Sequence, residues 1–235
     1  MATNGEAPVV VARDVHKTYG TGEVQVHVLK GVSLDIARGE MVAIMGPSGG
    51  GKTTLLNCLS GLDDVDSGTI TIGGSDLSQM KDSEKTRFRA TKMGYIFQAF
   101  NLLPVLTALE NVEMPLLISG FPPKESREKA RTALDLVGLS DRSGHYPSQM
   151  SGGQQQRVTI ARALVNQPEI VWADEPTGNL DSETAAEVMG LLTRLNRELN
   201  NTFVIITHSD AVAELSHRTV RMMDGLIVDH GTGTA

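Results

Sequence analysis

The sequence predicts an α/β protein with an N-terminal antiparallel β-subdomain and an inserted α-helical subdomain. Three observations support this fold class. Short apolar segments with the character of buried strands alternate with helical segments, the opening block is rich in strands, and a mainly helical stretch interrupts the alternation. The chain has 235 residues, which is enough for one large domain with a smaller lobe inserted into it.

The overall composition restricts the classes of protein to which the chain can belong. Its net charge of −7 and sequence pI of about 5.4 argue against a broad basic surface, so we expect no nucleic-acid partner. No apolar segment approaches the roughly 18–20 residues of a membrane span. Residues 1–6 lack the basic start and apolar core of a signal peptide, so we expect a cytoplasmic protein. The single cysteine, Cys58, excludes an internal disulfide, and we interpret it as a small core residue.

A glycine-rich turn between a strand and a helix is the most informative motif. The apolar stretch 41–45 precedes it and a helix over 54–59 follows it. The turn consists of Gly46, Pro47, Ser48, Gly49, Gly50, Gly51, Lys52 and Thr53, with Thr54 next in the chain. This is the P-loop pattern in its required setting, where backbone N–H groups and a helix N-terminus surround a phosphate chain. We expect Lys52 to supply charge to the β- and γ-phosphates and the Thr53 hydroxyl to bind Mg²⁺.

The opening block is predicted to be antiparallel β-structure. The segments 9–12 and 24–29 have strand character and are joined through a Gly-rich turn, and 32–36 alternates apolar and polar residues as a half-buried strand does. By this interpretation Tyr19 falls in the first turn. Its aromatic face is suited to stacking on an adenine ring, although the residue taken alone favours an ordinary core or surface tyrosine.

One compact domain, 1–235, is predicted to contain both an α/β core and a helical subdomain. We assign about 9–98 and 168–230 to the core and about 99–167 to the helical subdomain, because the sequence after Gln98 becomes apolar and carries few charges. Internal repeats and low-complexity linkers are absent from the sequence, which supports a single domain.

The helical subdomain begins with an apolar segment, 99–121, that carries few charges. This segment is either core or a docking surface for a partner, since contiguous exposed apolar area marks an interaction site. A charged amphipathic helix is predicted over 123–137, with Gly138 suited to end it. A later helix, over 182–200, is predicted to take Ser182 as its N-cap.

A second helix start carries small polar residues: Ser151, Gly152, Gly153 and Gln154 precede a helix over 158–166. Small residues at a helix start present backbone N–H groups to solvent, which predicts a second anion site. Because the P-loop already surrounds the one phosphate chain of a nucleotide, a second such start suggests that two chains share each nucleotide. The alternative is a simple N-cap at Ser151.

Two later strands end in polar residues. The apolar segment 169–173 ends at Asp174 and Glu175, and the segment 202–206 is followed closely by His208. The carboxyl ends of strands are where α/β sheets place ligand chemistry. We expect Asp174 to hold Mg²⁺ directly or through water, Glu175 to orient or deprotonate an attacking water, and His208 to lie near a γ-phosphate.

Together these motifs resemble the ATPase subunit of an ABC transporter over about residues 9–230, which implies a P-loop NTPase core of RecA-like type. The matching positions are Tyr19 (adenine-stacking loop), Gly46 to Thr53 (Walker A), Gln98 (Q-loop), Ser151 to Gln154 (signature), Ile170 to Asp174 (Walker B), Glu175 (catalytic glutamate), Asn179 to Asp181 (D-loop) and His208 (switch histidine). Two positions depart from the family pattern. Met150 replaces the usual leucine before the signature, and Gly50 replaces the usual serine or cysteine of the P-loop.

The resemblance implies a mechanism in which two copies pack head to tail. ATP is held between the P-loop of one copy and the signature of the other, with Asp181 near the partner's site. Thr53, Gln98 and Asp174 meet Mg²⁺, while the catalytic set is Lys52, Gln98, Glu175 and His208. Closure of the pair is expected to pull a membrane permease docked on the helical subdomain near 98–121, which places the chain on the inner face of the membrane.

A finer resemblance, in residues 97–104, 109–112 and 173–181, is to the subfamily of lipoprotein-release, macrolide-export and cell-division ATPases. It implies export or extraction of a lipophilic substrate, a lipoprotein or a peptide. The alternative is a regulatory or force-transmitting module, as in the cell-division relatives, which would move a membrane partner without transport. A DNA-repair relative is disfavoured by the acidic charge, and a nucleotide kinase does not explain Ser151 to Gln154.

Overall fold

The computed structural model describes residues 7–20, 22 and 24–232, so the interpretation of residues 1–6 lies outside the described residues. Its strands are β1 (Val10–Tyr19), β2 (Val26–Ile36), β3 (Met41–Met45), β4 (Ser67–Ile72), β5 (Ser75–Asp76), β6 (Met93–Phe97), β7 (Ile170–Asp174), β8 (Thr202–Ile206), β9 (Arg218–Met223) and β10 (Leu226–Thr232). Its helices are α1 (Lys52–Leu59), α2 (Asp82–Lys92), α3 (Ala108–Ile118), α4 (Pro123–Leu136), α5 (Gly152–Leu164), α6 (Ser182–Leu199) and α7 (Asp210–Glu214).

The N-terminal β-subdomain is an antiparallel sheet in the order β2-β1-β4-β5, which confirms the predicted β-rich opening. Two details of the prediction are wrong. The segments 24–29 and 32–36 contribute to one strand, β2, which continues through Gly31 at a positive φ of 88°. Tyr19 is the last residue of β1, paired with Val26, and does not lie in the turn.

A second sheet, in the order β10-β9-β3-β8-β7-β6, forms the α/β core. Strands β9, β3, β8, β7 and β6 are parallel, and β10 returns antiparallel to β9. Ile44, Ile206, Asp174 and Phe97 are paired in a single row across the four adjacent strands β3, β8, β7 and β6. The four strands therefore end at nearly the same level, and the segments after them leave the sheet side by side.

The two faces of this sheet belong to two different hydrophobic clusters. Along β7, Val171 and Ala173 pack with the helices α3 to α6, whereas Ile170 and Trp172 pack with α1 and the β-subdomain. Residues two apart share a face because side chains alternate along a strand. Cys58 is buried in the second cluster, as expected of a small core residue.

The inserted helices α3, α4 and α5 pack against one another, and α5 also packs against β6. Helix α5 begins at Gly152, six residues earlier than predicted. The N-cap of α6 is Asp181, whose Oδ1 accepts a hydrogen bond from the Thr184 N–H at 3.0 Å. The prediction of Ser182 as this N-cap is wrong.

The apolar segment 99–121 is divided between core and surface. Leu109, Val112 and Leu116 are buried in the helical cluster, while Leu103 and Ile118 remain 46% and 69% exposed. The core interpretation is therefore confirmed for the buried residues, while docking of a partner on the exposed ones stays a prediction. Within the described ranges, no helix combines the length and the apolar character needed to cross a bilayer.

Candidate nucleotide site

The glycine-rich turn follows β3 and leads into α1, as the sequence predicted. Gly46 has a φ of 153°, and a Cβ added there would lie 2.1 Å from the Met222 carbonyl oxygen, so only glycine fits. Gly50 is different, because its φ is not in the left-handed region and an added Cβ would lie 3.0 Å from the Pro47 carbonyl oxygen. The unusual glycine at position 50 is therefore not required by the backbone conformation of this turn.

Lys52 opens α1 and bends back over the turn. Its Nζ donates hydrogen bonds to the carbonyl oxygens of Gly46 and Pro47, both at 2.9 Å. These acceptors are neutral, and among the described residues no carboxylate lies within ion-pair distance of this ammonium group. A cation held over an open glycine turn at a helix N-terminus fits a polyphosphate.

Asp174 ends β7 and is only partly exposed. Burial raises the pKa of its carboxyl group, the neighbouring Glu175 charge raises it further, and the Lys52 charge offsets part of the rise. Such a carboxylate lacks a sufficient counter-charge within the chain. Its oxygens are therefore suited to a hard cation such as Mg²⁺.

Glu175 and His208 are brought into direct contact across two strands. Glu175 Oε1 lies 2.8 Å from His208 Nδ1, with the glutamate side chain 20% exposed and the histidine 76% exposed. Glu175 has a φ of 46°, a conformation that costs a non-glycine residue about 1–2 kcal/mol. Its N–H donates to the Ile206 carbonyl at 2.9 Å, which ties this strained residue to the end of β8. The two polar strand ends predicted from the sequence thus form one unit.

Gln98 follows β6 and is held by a residue that the sequence did not place beside it. Gln98 Nε2 donates to Asn179 Oδ1 at 3.2 Å, and Asn179 Nδ2 donates to the Gln98 carbonyl at 2.9 Å. A Cβ added at Gly178 would lie 2.7 Å from Gln98 Nε2, so a larger residue there would displace the Gln98 amide. The predicted metal ligand Gln98 is therefore paired with Asn179 in this structure.

The start of α5 is a closed capping arrangement. Ser151 Oγ accepts from the Gln154 N–H at 3.2 Å, and Gln154 Oε1 accepts from the Ser151 N–H at 3.0 Å. A Cβ at Gly153 would lie 2.4 Å from Thr184 Cγ2, so close packing against α6 demands a glycine. The N-cap alternative is confirmed, yet the first N–H groups of the helix still lack intrahelical acceptors, and Ser151, Gly153 and Gln154 line a surface hollow. None of the turn residues 46–53 lines that hollow.

Asp181 is exposed and uses both carboxylate oxygens within its own helix start. Oδ1 accepts from the Thr184 N–H at 3.0 Å, and Oδ2 accepts from the Thr184 hydroxyl at 2.7 Å. These two bonds, the backbone one first, lower the pKa of Asp181. Within one chain the residue therefore acts as a helix cap.

A partly buried arginine fixes the loop after Gln98. Arg162 on α5 donates to the carbonyl oxygens of Asn101 at 2.5 Å and Phe100 at 2.9 Å. Phe100 and Asn101 have positive φ values of 59° and 51°, so two consecutive non-glycine residues adopt the left-handed conformation. No local sequence pattern identified this contact, because the partners lie about sixty positions apart.

A glycine turn after one strand, carboxylates after a second and a histidine after a third define a nucleoside triphosphatase of the P-loop class. The chain belongs more narrowly to the ABC transporter family, whose model matches residues 29–178. It is an ATP-binding and ATP-hydrolysing subunit of that family, as the sequence motifs predicted.

Similar proteins support this assignment over nearly the whole chain. The ABC transporter ATP-binding protein YtrE of Bacillus subtilis is 51% identical over 87% of this chain and 89% of its own length. The lipoprotein-releasing system ATP-binding protein LolD of Legionella pneumophila is 46% identical over 92% and 96%. The macrolide export ATP-binding/permease protein MacB of Marinobacter nauticus is 46% identical, but the match covers only 34% of that longer protein.

A solved structure has the same fold. The dimeric post-hydrolysis state of the ATP-binding cassette MJ0796, bound to ADP and Pi, superposes with a TM-score of 0.87 at 43% identity. The alignment covers 96% of this chain and 99% of that one. The α/β core with its N-terminal antiparallel sheet is therefore the fold of an ABC ATPase cassette.

Proposed function

We propose that two copies of this chain hydrolyse Mg²⁺–ATP between them and thereby drive a membrane permease that exports or extracts a lipophilic substrate, a lipoprotein or a peptide. The observation that carries the proposal is the common level at which the strands end. The segments that carry Gln98, Asp174, Glu175 and His208 therefore leave the sheet at the same edge as the phosphate turn, which supports their assignment to one site. The similarity to LolD and MacB supports the export or extraction part.

The phosphate and metal roles follow from charge and ligand type. Lys52 and the N–H groups of the turn would bind the β- and γ-phosphates. Thr53, Gln98 and Asp174 would hold Mg²⁺, which when bound supplies positive charge to the phosphate oxygens. Gln98 binds Asn179 through its Nε2 and its backbone carbonyl, so its Oε1 would remain available as the metal ligand.

The Glu175–His208 pair would carry the proton chemistry. Glu175 is the better shielded of the two side chains and is fixed at both its backbone and its carboxylate, which suits a general base that takes a proton from the attacking water. His208 orients that carboxylate through Nδ1, and its largely exposed ring is free to reach a γ-phosphate.

A second copy would complete the site. The start of α5 has free N–H groups but shares no hollow with the phosphate turn of its own chain, so its anion would come from elsewhere. We therefore propose a head-to-tail homodimer in which Ser151 to Gln154 contact the ATP held by the partner. Asp181 would lie at the interface between the two copies. The dimeric form of the similar cassette MJ0796 supports this arrangement.

An apolar groove between α2, β6 and α3 is the proposed docking site for the permease. The apolar part of its lining includes Leu62, Leu103, Met114, Pro115 and Ile118. Asn101 and Arg162 also line it, so a segment docked there would touch the fixed loop after Gln98. Binding in this groove would hold the chain at the cytoplasmic face of the membrane.

The test of the catalytic assignment is Glu175→Gln. We expect ATP hydrolysis by the complex to fall about 10²- to 10³-fold, the scale of a lost general base, while ATP binding persists and an ATP-bound dimer accumulates. Turnover at the native rate would contradict the assignment of Glu175 as the base.

The test of the docking site is co-purification with membrane proteins from the natural host, with ATP present. We expect Ile118→Asp to abolish capture of a permease and Val228→Asp, a matched change at a 55% exposed site on β10, to leave it intact. Equal capture by both variants would contradict the groove assignment. A captured complex that includes a cell-wall hydrolase would favour the force-transmitting alternative over transport.

A further inference from the structure

The end of β1 carries a cluster that the catalytic machinery does not use. Tyr19 Oη donates to Asp63 Oδ2 at 2.5 Å, and Lys17 Nζ donates to Asp63 Oδ1 at 2.7 Å. Lys17 also donates to the Asp64 carbonyl at 2.6 Å and lies over the Tyr19 ring, 5.1 Å from its centroid. One carboxylate therefore binds both a phenol and an ammonium group that share the same face of a strand.

This cluster is tied to the phosphate-binding helix. Asp63 lies just beyond the end of α1, and its N–H donates to the Asn57 carbonyl of that helix at 3.1 Å. The C-terminal part of α1 is thus connected to the carboxylate that binds the tyrosine at the end of β1.

Burial decreases outward across the cluster. The Lys17 side chain is 11% exposed and the Asp63 side chain 31%, whereas Tyr19 is 41% exposed. Lys17 lies over one face of the ring and Tyr19 is still 41% exposed, so area remains for contact between the opposite face and a planar ligand. The hydrogen bonds from Lys17 and Tyr19 outweigh burial and lower the pKa of Asp63, which stays an ionised acceptor at neutral pH.

We propose that Asp63 is a positioning residue for the nucleotide base: with Lys17 it fixes the ring of Tyr19 so that its open face stacks on the purine. The inference rests on the proposed ATP site. A tyrosine at an exposed strand end would otherwise have to be immobilised by the ligand, and fixing it in advance removes that entropic cost. Asp63 and Lys17 do not touch the phosphates, so their effect is confined to the base.

The experiment compares binding of ADP with binding of pyrophosphate, which lacks the base, to the full chain by calorimetry. We expect Asp63→Ala and Tyr19→Phe each to weaken ADP binding about 3- to 10-fold, the range for one immobilised side chain, and to leave pyrophosphate binding unchanged. The double variant should be no weaker than either single variant, because both remove the same contact. Asp64→Asn is the matched control, since it removes a neighbouring ion-paired carboxylate that does not contact Tyr19.

The outcomes separate the possible failures. If Tyr19→Ala does not weaken ADP binding, base stacking fails and the inference fails with it. If Tyr19→Ala weakens ADP binding but Asp63→Ala does not, only the positioning role is overturned. Equal losses of ADP and pyrophosphate would show structural damage and also overturn it. Tyr19→Phe leaves the Lys17–Asp63 ion pair in place, so it remains informative if Asp63→Ala does not fold.

Discussion

The edge of the parallel sheet and the start of α5 differ in how they satisfy their polar groups. At the sheet edge, residues from distant segments contact one another, as Glu175 does with His208. At the start of α5, Ser151 and Gln154 satisfy each other within one helical turn. The first region is formed by contacts between distant segments of the chain. The second is formed within one helical turn and keeps free N–H groups. The difference supports the proposal that the chain carries one complete half-site and one half-site that acts on a partner.

The largest effect that we expect is a loss of affinity for ATP at the sheet edge. Lys52→Ala removes the ammonium group that lies over the phosphate turn, and we expect the affinity of the single chain for ATP to fall about 100-fold, as for other desolvated charge contacts. Equilibrium binding of a fluorescent ATP analogue measures the change. Because the start of α5 is not part of this half-site, Ser151→Asn should bind ATP as the parent chain does. Unchanged affinity in Lys52→Ala would contradict the assignment of the phosphate turn.

A smaller effect separates the two roles of Ser151. Aspartate and asparagine both cap helices well, so Ser151→Asp and Ser151→Asn should leave the melting temperature nearly unchanged. Only aspartate places a negative charge where the partner's phosphates are expected. In a Glu175→Gln background we expect Ser151→Asp to weaken the ATP-dependent dimer at least about tenfold and Ser151→Asn to change it little.

Sedimentation of the two variants with ATP distinguishes these outcomes. Dimers of equal strength would mean that the start of α5 is a helix cap alone. The start of α5 would then have no role at the partner's nucleotide, and it would differ from the sheet edge only in structure.

The smallest expected effect concerns stability. The raised pKa of Asp174 means that the folded chain binds this proton more tightly than the unfolded chain. The free energy of unfolding therefore falls as pH rises through the ordinary carboxyl range, and it stays low above the raised pKa. Asp174→Asn should remove this loss and raise the melting temperature of the nucleotide-free chain at neutral pH by about 1–3 °C.

Calorimetry at pH 7 and at pH 4 tests the sign of this effect. The gain should shrink at the lower pH, where Asp174 in the parent chain becomes protonated. A lower melting temperature in the variant at both values would contradict the account. The same substitution should weaken binding of Mg²⁺–ATP, which would show that stability is sacrificed here for a metal site.

Most of the fold could be predicted because the core strands are short apolar segments bounded by turns. The strand ends at Gln98, Asp174 and His208 could be located for the same reason, since polarity changes abruptly there. The early β-structure was harder. The segments 24–29 and 32–36 were predicted as separate strands but contribute to one strand, and Tyr19 was placed in a turn although it completes β1.

The contacts that sequence could not supply join residues far apart in the chain. Asn179 binds Gln98 across 81 positions, and Asp63 binds Tyr19 across 44. Nothing in the local pattern distinguishes these side chains from solvated polar residues. The prediction of Ser182 as the N-cap of α6 was off by one residue. Serine and aspartate both cap helices well, so the backbone conformation decides which of the two neighbours is the N-cap.

The pairing of Ile44, Ile206, Asp174 and Phe97 in one row has a consequence for engineering. A slip of β7 by one residue would exchange Trp172 and Ala173 between the two hydrophobic clusters, which the packed interior strongly opposes. Apolar residues alone therefore enforce the alignment of the polar strand ends. A designer could replace the polar residues at these strand ends with other functional residues. The unaltered interior would still hold them in the same positions.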